Sequence, residues 1–254
     1  MRVFSYWRGP VTWMERLSIA SAKTTGHEVT VFSHDPDALS REDLGCQVAD
    51  AGDLLSDPSL EHLRRLLPPH YSDHFRIVGL QQGLGVWIDL DLIFLKALPN
   101  DPYLMGWETP VSVCNALLRL PTTSAILTEY IAICQKRPLK LNFPWYPLGK
   151  RVKRQIKRVT HALQGKMLAP LLGPVTLTHL VHKYGLEEKV KPVSAFYPVH
   201  HGRKSLQRIA EPGYLERCVG PDTITLHLWR SKYRKIYGNE VAGDWLRAQM
   251  AAVL

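Results

Sequence analysis

The segment Gly85-Val86-Trp87-Ile88-Asp89-Leu90-Asp91-Leu92-Ile93-Phe94-Leu95 places two carboxylates inside an otherwise apolar run. An ionised carboxylate taken out of water without a partner is strongly disfavoured, so this pair calls for a cation. If residues 86–89 form a strand, Asp89 and Asp91 stand at i and i+2 on one side of it. Their oxygens can then converge on Mn2+ or Mg2+, hard ions that prefer oxygen ligands and can also hold a diphosphate. The end of a buried strand is also where open α/β sheets bind ligands. An Asp-x-Asp triplet alone is common, and capping or turn aspartates are its ordinary explanation.

Upstream, Tyr71-Ser72-Asp73-His74-Phe75-Arg76 precedes the glycine-bearing turn Gly83-Leu84-Gly85. Ser72 and Asp73 are suited to cap a helix reaching about Gln82, with Asp73 and Arg76 at i, i+3 on one face. The plain reading is an N-cap and a surface ion pair. The functional reading is that this helix end, with its positive dipole, a carboxylate for sugar hydroxyls and a guanidinium for oxygens, faces the crevice of the aspartate pair.

The elements that must position these groups follow from periodicity. Strand patterns at 2–6 and 28–33 flank a helix at 12–25 stopped by Gly26, with a polar turn at His34-Asp35-Pro36-Asp37 and a weaker strand at 47–49. Helical spacing returns at 59–67, 122–135, 150–163, 174–184 and 241–252, strand patterns at 86–89, 111–120 and 222–228, and 137–150 reads as a loop. This alternation predicts an α/β fold with a mostly parallel central sheet and a helical insertion, as one domain over 1–254.

The chain has 254 residues and a net charge of +9. That length can bury a full core without disulfides or metals, which excludes a disulfide-stapled scaffold and a disordered chain. The cysteines Cys46, Cys114, Cys134 and Cys218 lie far apart with no zinc-site spacing, as expected of free thiols in a reducing cytosol. No signal-peptide pattern or membrane-spanning run is recognised, so a cytoplasmic protein is expected. Seven cations and no acid fall between Lys150 and Lys166, leaving only +2 for the rest. There Arg151, Lys153, Arg154, Lys157 and Arg158 oppose a stripe of Val152, Ile156, Val159 and Leu163, an interfacial-helix pattern that suits an anionic membrane surface. A solvated helix packing a narrow stripe on the domain explains it equally. Nucleic acid is not expected as a partner, because no aromatics interleave with the cations.

Together, Ser72-Asp73-x-x-Arg76, the glycine turn and aromatic-x-Asp89-x-Asp91 resemble the sugar-binding signature of glycosyltransferase family 32. Its relatives include yeast-type α-mannosyltransferases, α-1,4-galactosyltransferases and clostridial toxin glucosyltransferase domains. The resemblance implies a GT-A fold, a Rossmann-like nucleotide-diphospho-sugar transferase, using Mn2+ or Mg2+ and retaining anomeric configuration. It implies that Asp91 coordinates the metal, that Asp89 contacts ribose or the metal, and that Asp73 and Arg76, beside Ser72, hold the donor sugar. Asp91 and Arg76 become the catalytic candidates.

Further matches extend from residue 4 to about 233. Phe4-Ser5-Tyr6-Trp7-Arg8-Gly9 is similar to the family's first-strand motif, which makes Trp7 the base-stacking candidate; a core tryptophan is the ordinary alternative. Trp87 would line the ribose pocket. Gly106-Trp107-Glu108 with Asn115 resembles the donor and acceptor side, Gly173-Pro174 a helix start, and His227-Leu228-Trp229 a C-terminal motif. There His227 would complete the metal or diphosphate shell and Trp229 the donor pocket. The family's usual Gly-Gly is here Gly83-Leu84-Gly85, and 138–166 aligns to no motif.

The implied partners are a UDP- or GDP-sugar, with UDP favoured, and a saccharide or glycolipid acceptor. Two other readings compete. A haloacid-dehalogenase-type phosphatase also carries an Asp-x-Asp after a strand, and Gly52-Asp53-Leu54-Leu55-Ser56-Asp57 spells its late acid motif, though in the wrong order. A non-enzymatic membrane-binding module would rest on the basic segment alone.

Overall fold

The computed structural model describes residues 1–55, 68–135, 148–149, 152–153, 156 and 173–254. The first half alternates strand and helix: β1 (Arg2–Tyr6), α1 (Trp13–Thr24), β2 (Glu28–Ser33), α2 (Pro36–Ser40), β3 (Gln47–Asp50), α3 (Ala51–Leu54), α4 (Pro68–Gln81) and β4 (Val86–Ile88). There follow β5 (Leu92–Phe94), β6 (Leu104–Thr109), β7 (Ser112–Arg119), α5 (Ala125–Gln135), α6 (Pro174–Lys183), α7 (Val193–Phe196), α8 (Arg203–Gln207), α9 (Tyr214–Cys218), β8 (Thr225–His227), α10 (Arg230–Tyr237) and α11 (Asp244–Val253).

Six strands form one sheet in the order β3-β2-β1-β4-β7-β6, and β5 and β8 form a separate antiparallel pair. β3, β2, β1 and β4 run parallel, whereas β7 is antiparallel to both its neighbours. This mixed α/β arrangement around a mainly parallel sheet is consistent with a GT-A fold. It gathers the carboxyl ends of β1, β2, β3 and β4 along one edge of the sheet, where Trp7, His34 and Asp89 begin the outgoing loops.

Both faces of the sheet are buried, and strand alternation divides the side chains between them. Phe4 and Trp87 point to the face packed by Phe75, Tyr130 and Leu177, while Val3, Val86 and Ile88 point to the opposite core. Phe4 and Trp87 are register partners across β1 and β4 and meet edge to face with ring centroids 5.4 Å apart.

Two glycines make these approaches possible. A Cβ at Gly79 would lie 2.3 Å from the Phe4 ring, so glycine lets α4 settle on β1. Gly85 has φ +128° and a Cβ there would meet the Arg2 carbonyl at 2.3 Å, so the turn into β4 tolerates only glycine at that position.

Several expectations change. The helix anticipated from Ser72 begins at Pro68, because proline is well suited to a helix's first turn; Ser72 and Asp73 therefore occupy its second turn and do not cap it. The polar turn at Asp35 opens a short helix, with the Asp35 carboxylate accepting from the Ala38 amide at 3.1 Å. The apolar run through Asp91 divides into β4 and β5, which belong to different sheets.

The expected 59–67 helix lies outside the described residues, as do Arg151, Arg154, Lys157 and Arg158. Of that basic segment, Val152, Lys153 and Ile156 are described as helical and exposed. Cys46, Cys114 and Cys218 are free thiols. No helix among the described residues is long and apolar enough to cross a membrane.

Candidate active site

The aspartate pair is divided between two supports. Asp89 immediately follows β4, and its amide donates to the Ala116 carbonyl of β7 at 2.7 Å, extending the central sheet by one rung. Asp91 precedes β5, whose pairing with β8 sets Leu92 opposite His227. That register brings His227 Nε2 to 3.0 Å from Asp91 Oδ1 although the residues are 136 positions apart.

Each carboxylate is held by a distinct donor set. Asp89 Oδ1 accepts from Arg76 Nη2 and from Trp87 Nε1, both at 2.7 Å. Arg76 also donates through Nη1 to Asp73 Oδ1 at 3.2 Å, and its guanidinium lies 4.6 Å over the Trp87 ring. Asn115 Nδ2 donates to the same Asp73 oxygen at 2.9 Å. Asp91 Oδ2 accepts the Arg230 backbone N–H at 2.7 Å. Trp229, in the left-handed region at φ 55°, makes the turn that aims this amide. Strained backbone of this kind costs roughly 1–3 kcal/mol in a non-glycine residue and concentrates at functional sites.

The two acids differ electrostatically. Burial pushes the Asp89 carboxyl up to about 6, outweighing the neighbouring Arg76 charge. Asp91 experiences the same burial, but His227, the Arg230 amide and the Arg230 guanidinium together hold it below the usual carboxylate range. Arg76 is buried between Asp89 and Asp73, which override burial and keep its guanidinium charged.

Ligand atoms of Asp89, Asp91 and His227 all lie within 4.8 Å of one another. Two carboxylates and an imidazole suit a divalent cation such as Mn2+ or Mg2+. His227 Nε2, which faces Asp91, and Asp89 Oδ2, which no protein donor reaches among the described residues, leave coordinating capacity for it.

A cavity of ≈ 350 Å³ gathers the sequence candidates: Trp7, Ser72, Asp73, Arg76, Trp87, Asp89, Asp91, Asn115, His227 and Trp229 all line it. A larger cavity of ≈ 710 Å³ adjoins it at Trp7 and extends over the ends of β2 and β3 past Ser33, Asp35 and Asp50. Trp87 is only 1% exposed, so it touches the cavity chiefly as the support of Asp89. Trp229 is anchored by Nε1 to the Val199 carbonyl at 2.8 Å and packs 3.9 Å from the His227 ring.

Two residues escaped sequence reasoning. Arg230 lines the inner cavity, with its guanidinium 4.7 Å over the Trp7 ring. Its Nε donates to Glu15 of α1 at 2.5 Å, and Glu15 is fully buried. Glu15 also accepts from the Thr12 amide and hydroxyl, which closes the start of α1. Arg230 is flagged only by following the His-x-Trp motif, and no spacing in the chain connects it to Glu15.

No model of a known protein family matches the chain, so the family 32 likeness stays one of motifs. No curated protein matches it either. Among solved structures the chain is similar to one titled "PaToxG Glycosyltransferase", at 13% identity over 100% of this chain and 86% of that chain, with a TM-score of 0.48. At that distance the functional reading rests on the geometry of the site itself.

Proposed function

We propose that this protein is a metal-dependent glycosyltransferase that moves a hexose from a nucleoside diphosphate sugar, with UDP favoured over GDP, to a hydroxyl of a saccharide or glycolipid acceptor. The observation that carries this reading is the Asp89–Asp91–His227 cluster, set where the inner cavity adjoins one edged by Trp7. The nucleoside occupies the outer cavity against Trp7, the diphosphate lies over the cluster, and the sugar reaches Ser72, Asp73, Arg76 and Asn115. Trp229, packed on the His227 ring, lines the donor pocket beside the cluster.

Charge developing on the departing diphosphate is the main barrier to such a transfer. A divalent cation held by Asp89, Asp91 and His227 supplies Lewis-acid neutralisation of that charge. Arg76 fixes Asp89 and Asp73 in one array, so the metal-side and sugar-side carboxylates share a single rigid support. Arg230 adds a cation over Trp7, at the border of the two cavities. Retention at the anomeric carbon is carried over from the motif resemblance, and the configuration of the product decides it.

Hydrolysis of UDP- and GDP-hexoses with Mn2+ or Mg2+ tests the reading. Release of free hexose that requires the metal and vanishes in Asp91→Asn supports it; turnover unaffected by that substitution sinks it. The phosphatase alternative is disfavoured by a specific observation. Asp53, the described acid of its late motif, does not line the cavity that holds Asp89 and Asp91.

The basic segment supports a second element of the proposal, attachment to the cytoplasmic face of an anionic membrane. Val152 and Ile156 are exposed on a helix with Lys153, within the stretch holding seven cations and no acid. Replacing Arg151, Lys153, Arg154, Lys157 and Arg158 by Gln should abolish co-sedimentation with anionic vesicles, and unchanged binding would reject the attachment.

A further inference from the structure

Outside the catalytic cavity, α8 and α10 enclose a cleft of ≈ 190 Å³ lined by Arg203, Leu206, Lys232, Lys235 and Ile236. On α10, Lys232, Lys235 and Ile236 stand at i, i+3 and i+4, so all three fall on the face turned toward α8. Three cations and two apolar side chains therefore share one small space, with no carboxylate among them.

Like charges so placed repel, and long flexible side chains can relieve the repulsion by turning into water or pairing with acids. Neighbouring arginines do pair: Arg208 with Glu211 and Arg230 with Glu15. Among the described residues, none of Arg203, Lys232 and Lys235 takes part in an ion pair. Burial holds the Lys232 ammonium below the ordinary lysine range, against the Glu108 charge, which raises it, and with a smaller lowering contribution from Lys235. An anion entering the cleft would meet three donors that no ion pair among the described residues engages. Its walls are not polar throughout, since Leu206 is fully buried and Ile236 half-buried.

The cleft also borders the active site. The Lys232 ammonium lies 5.7 Å from the centre of the Trp229 ring, and Trp229 lines the catalytic cavity. We propose that Arg203, Lys232 and Lys235 form a phosphate-binding site that holds the phosphate of an amphiphilic acceptor beside Trp229, while Leu206 and Ile236 contact its apolar body. The identity of this molecule as the acceptor rests on the transferase reading; the phosphate site does not. The same chemistry is offered by a lipid phosphate and by a free or sugar-borne phosphate.

The test is titration of the 254-residue protein and of the triple variant R203Q/K232Q/K235Q with inorganic phosphate and with short-chain phosphatidic acid below its micelle concentration. All three side chains are solvent-exposed, so the variant should retain the wild-type melting temperature, checked by circular dichroism. The expected result is saturable binding of both probes to the wild type and loss of at least about tenfold in affinity in the variant. Tighter binding of phosphatidic acid than of inorganic phosphate identifies a lipid source, and equal binding a free or sugar-borne phosphate. A folded variant that binds both probes like the wild type overturns the proposal, as does a wild type that binds neither. Parallel titration with UDP and GDP, with and without Mn2+, keeps the two readings apart: if the triple variant loses phosphate but neither protein shows nucleotide binding that depends on the metal, the transferase reading falls and the phosphate site stands.

Discussion

Glu15 and Arg230, 215 positions apart, form an ion pair in which the Arg230 Nε, on a side chain 25% exposed, lies 2.5 Å from the fully buried Glu15 carboxylate. It connects the first helix to the turn that donates to Asp91, and it holds the guanidinium over Trp7. Removing one partner leaves the other charge uncompensated, a loss of roughly 3–5 kcal/mol for buried pairs. Arg230→Gln, which strands the buried carboxylate, should destabilise the protein by about that order, Glu15→Gln by less because Arg230 is partly exposed, and the double variant by less than the sum. Urea unfolding of the four proteins measures this; strict additivity would show that the pair carries no coupling.

Metal affinity should depend on pH through Asp89. Its carboxyl titrates at about 6 and must be ionised to act as a ligand, whereas Asp91 is already ionised well below that. As pH drops through about 6 the affinity should therefore fall, by up to about tenfold per pH unit for this carboxylate, with protons released on binding. Mn2+ titrations at about pH 5 and about pH 7, roughly one unit below and above that value, check the sign; affinity independent of pH over that interval would contradict the assignment.

Trp7 lines both cavities, and its proposed role is to stack on the base. Trp7→Ala should weaken UDP or GDP by roughly 1–3 kcal/mol, the range measured for base–aromatic stacking. The same loss should appear with the nucleoside alone, and inorganic diphosphate should be unaffected. A loss confined to the diphosphate would instead place the effect on Arg230, which rests on this ring.

Asp73 accepts from both Arg76 and Asn115 through one oxygen, and the proposed role for the other is to bind the donor sugar. Asp73→Asn should lower kcat/KM by about tenfold or more, in line with a lost charged hydrogen bond, while leaving UDP affinity nearly unchanged. Equal losses for UDP and UDP-sugar would assign Asp73 to the fold.

Much of the site was legible in the sequence because burying acids in an apolar run leaves a visible mark. Asp89 and Asp91 are conspicuous for that reason, and the strands Arg2–Tyr6 and Glu28–Ser33 are bounded by clear turn signals. The start of α4 was misplaced because Pro68-Pro69 reads equally as the end of one helix or the beginning of the next. β5 was hidden inside the apolar run since its partner β8 lies more than 130 residues away. Glu15 left no trace at all: it sits in an ordinary capping box, and its pairing with Arg230 exists only once the chain has folded.

The central claim, that Asp91 holds a metal which in turn holds a nucleoside diphosphate, is tested most directly by calorimetric titration of UDP and GDP, with and without Mn2+, into the wild type and Asp91→Asn. The predicted result is nucleotide binding that strengthens about tenfold or more with Mn2+ in the wild type and gains nothing from it in the variant. Absence of nucleotide binding, or an equal gain from Mn2+ in Asp91→Asn, would contradict it.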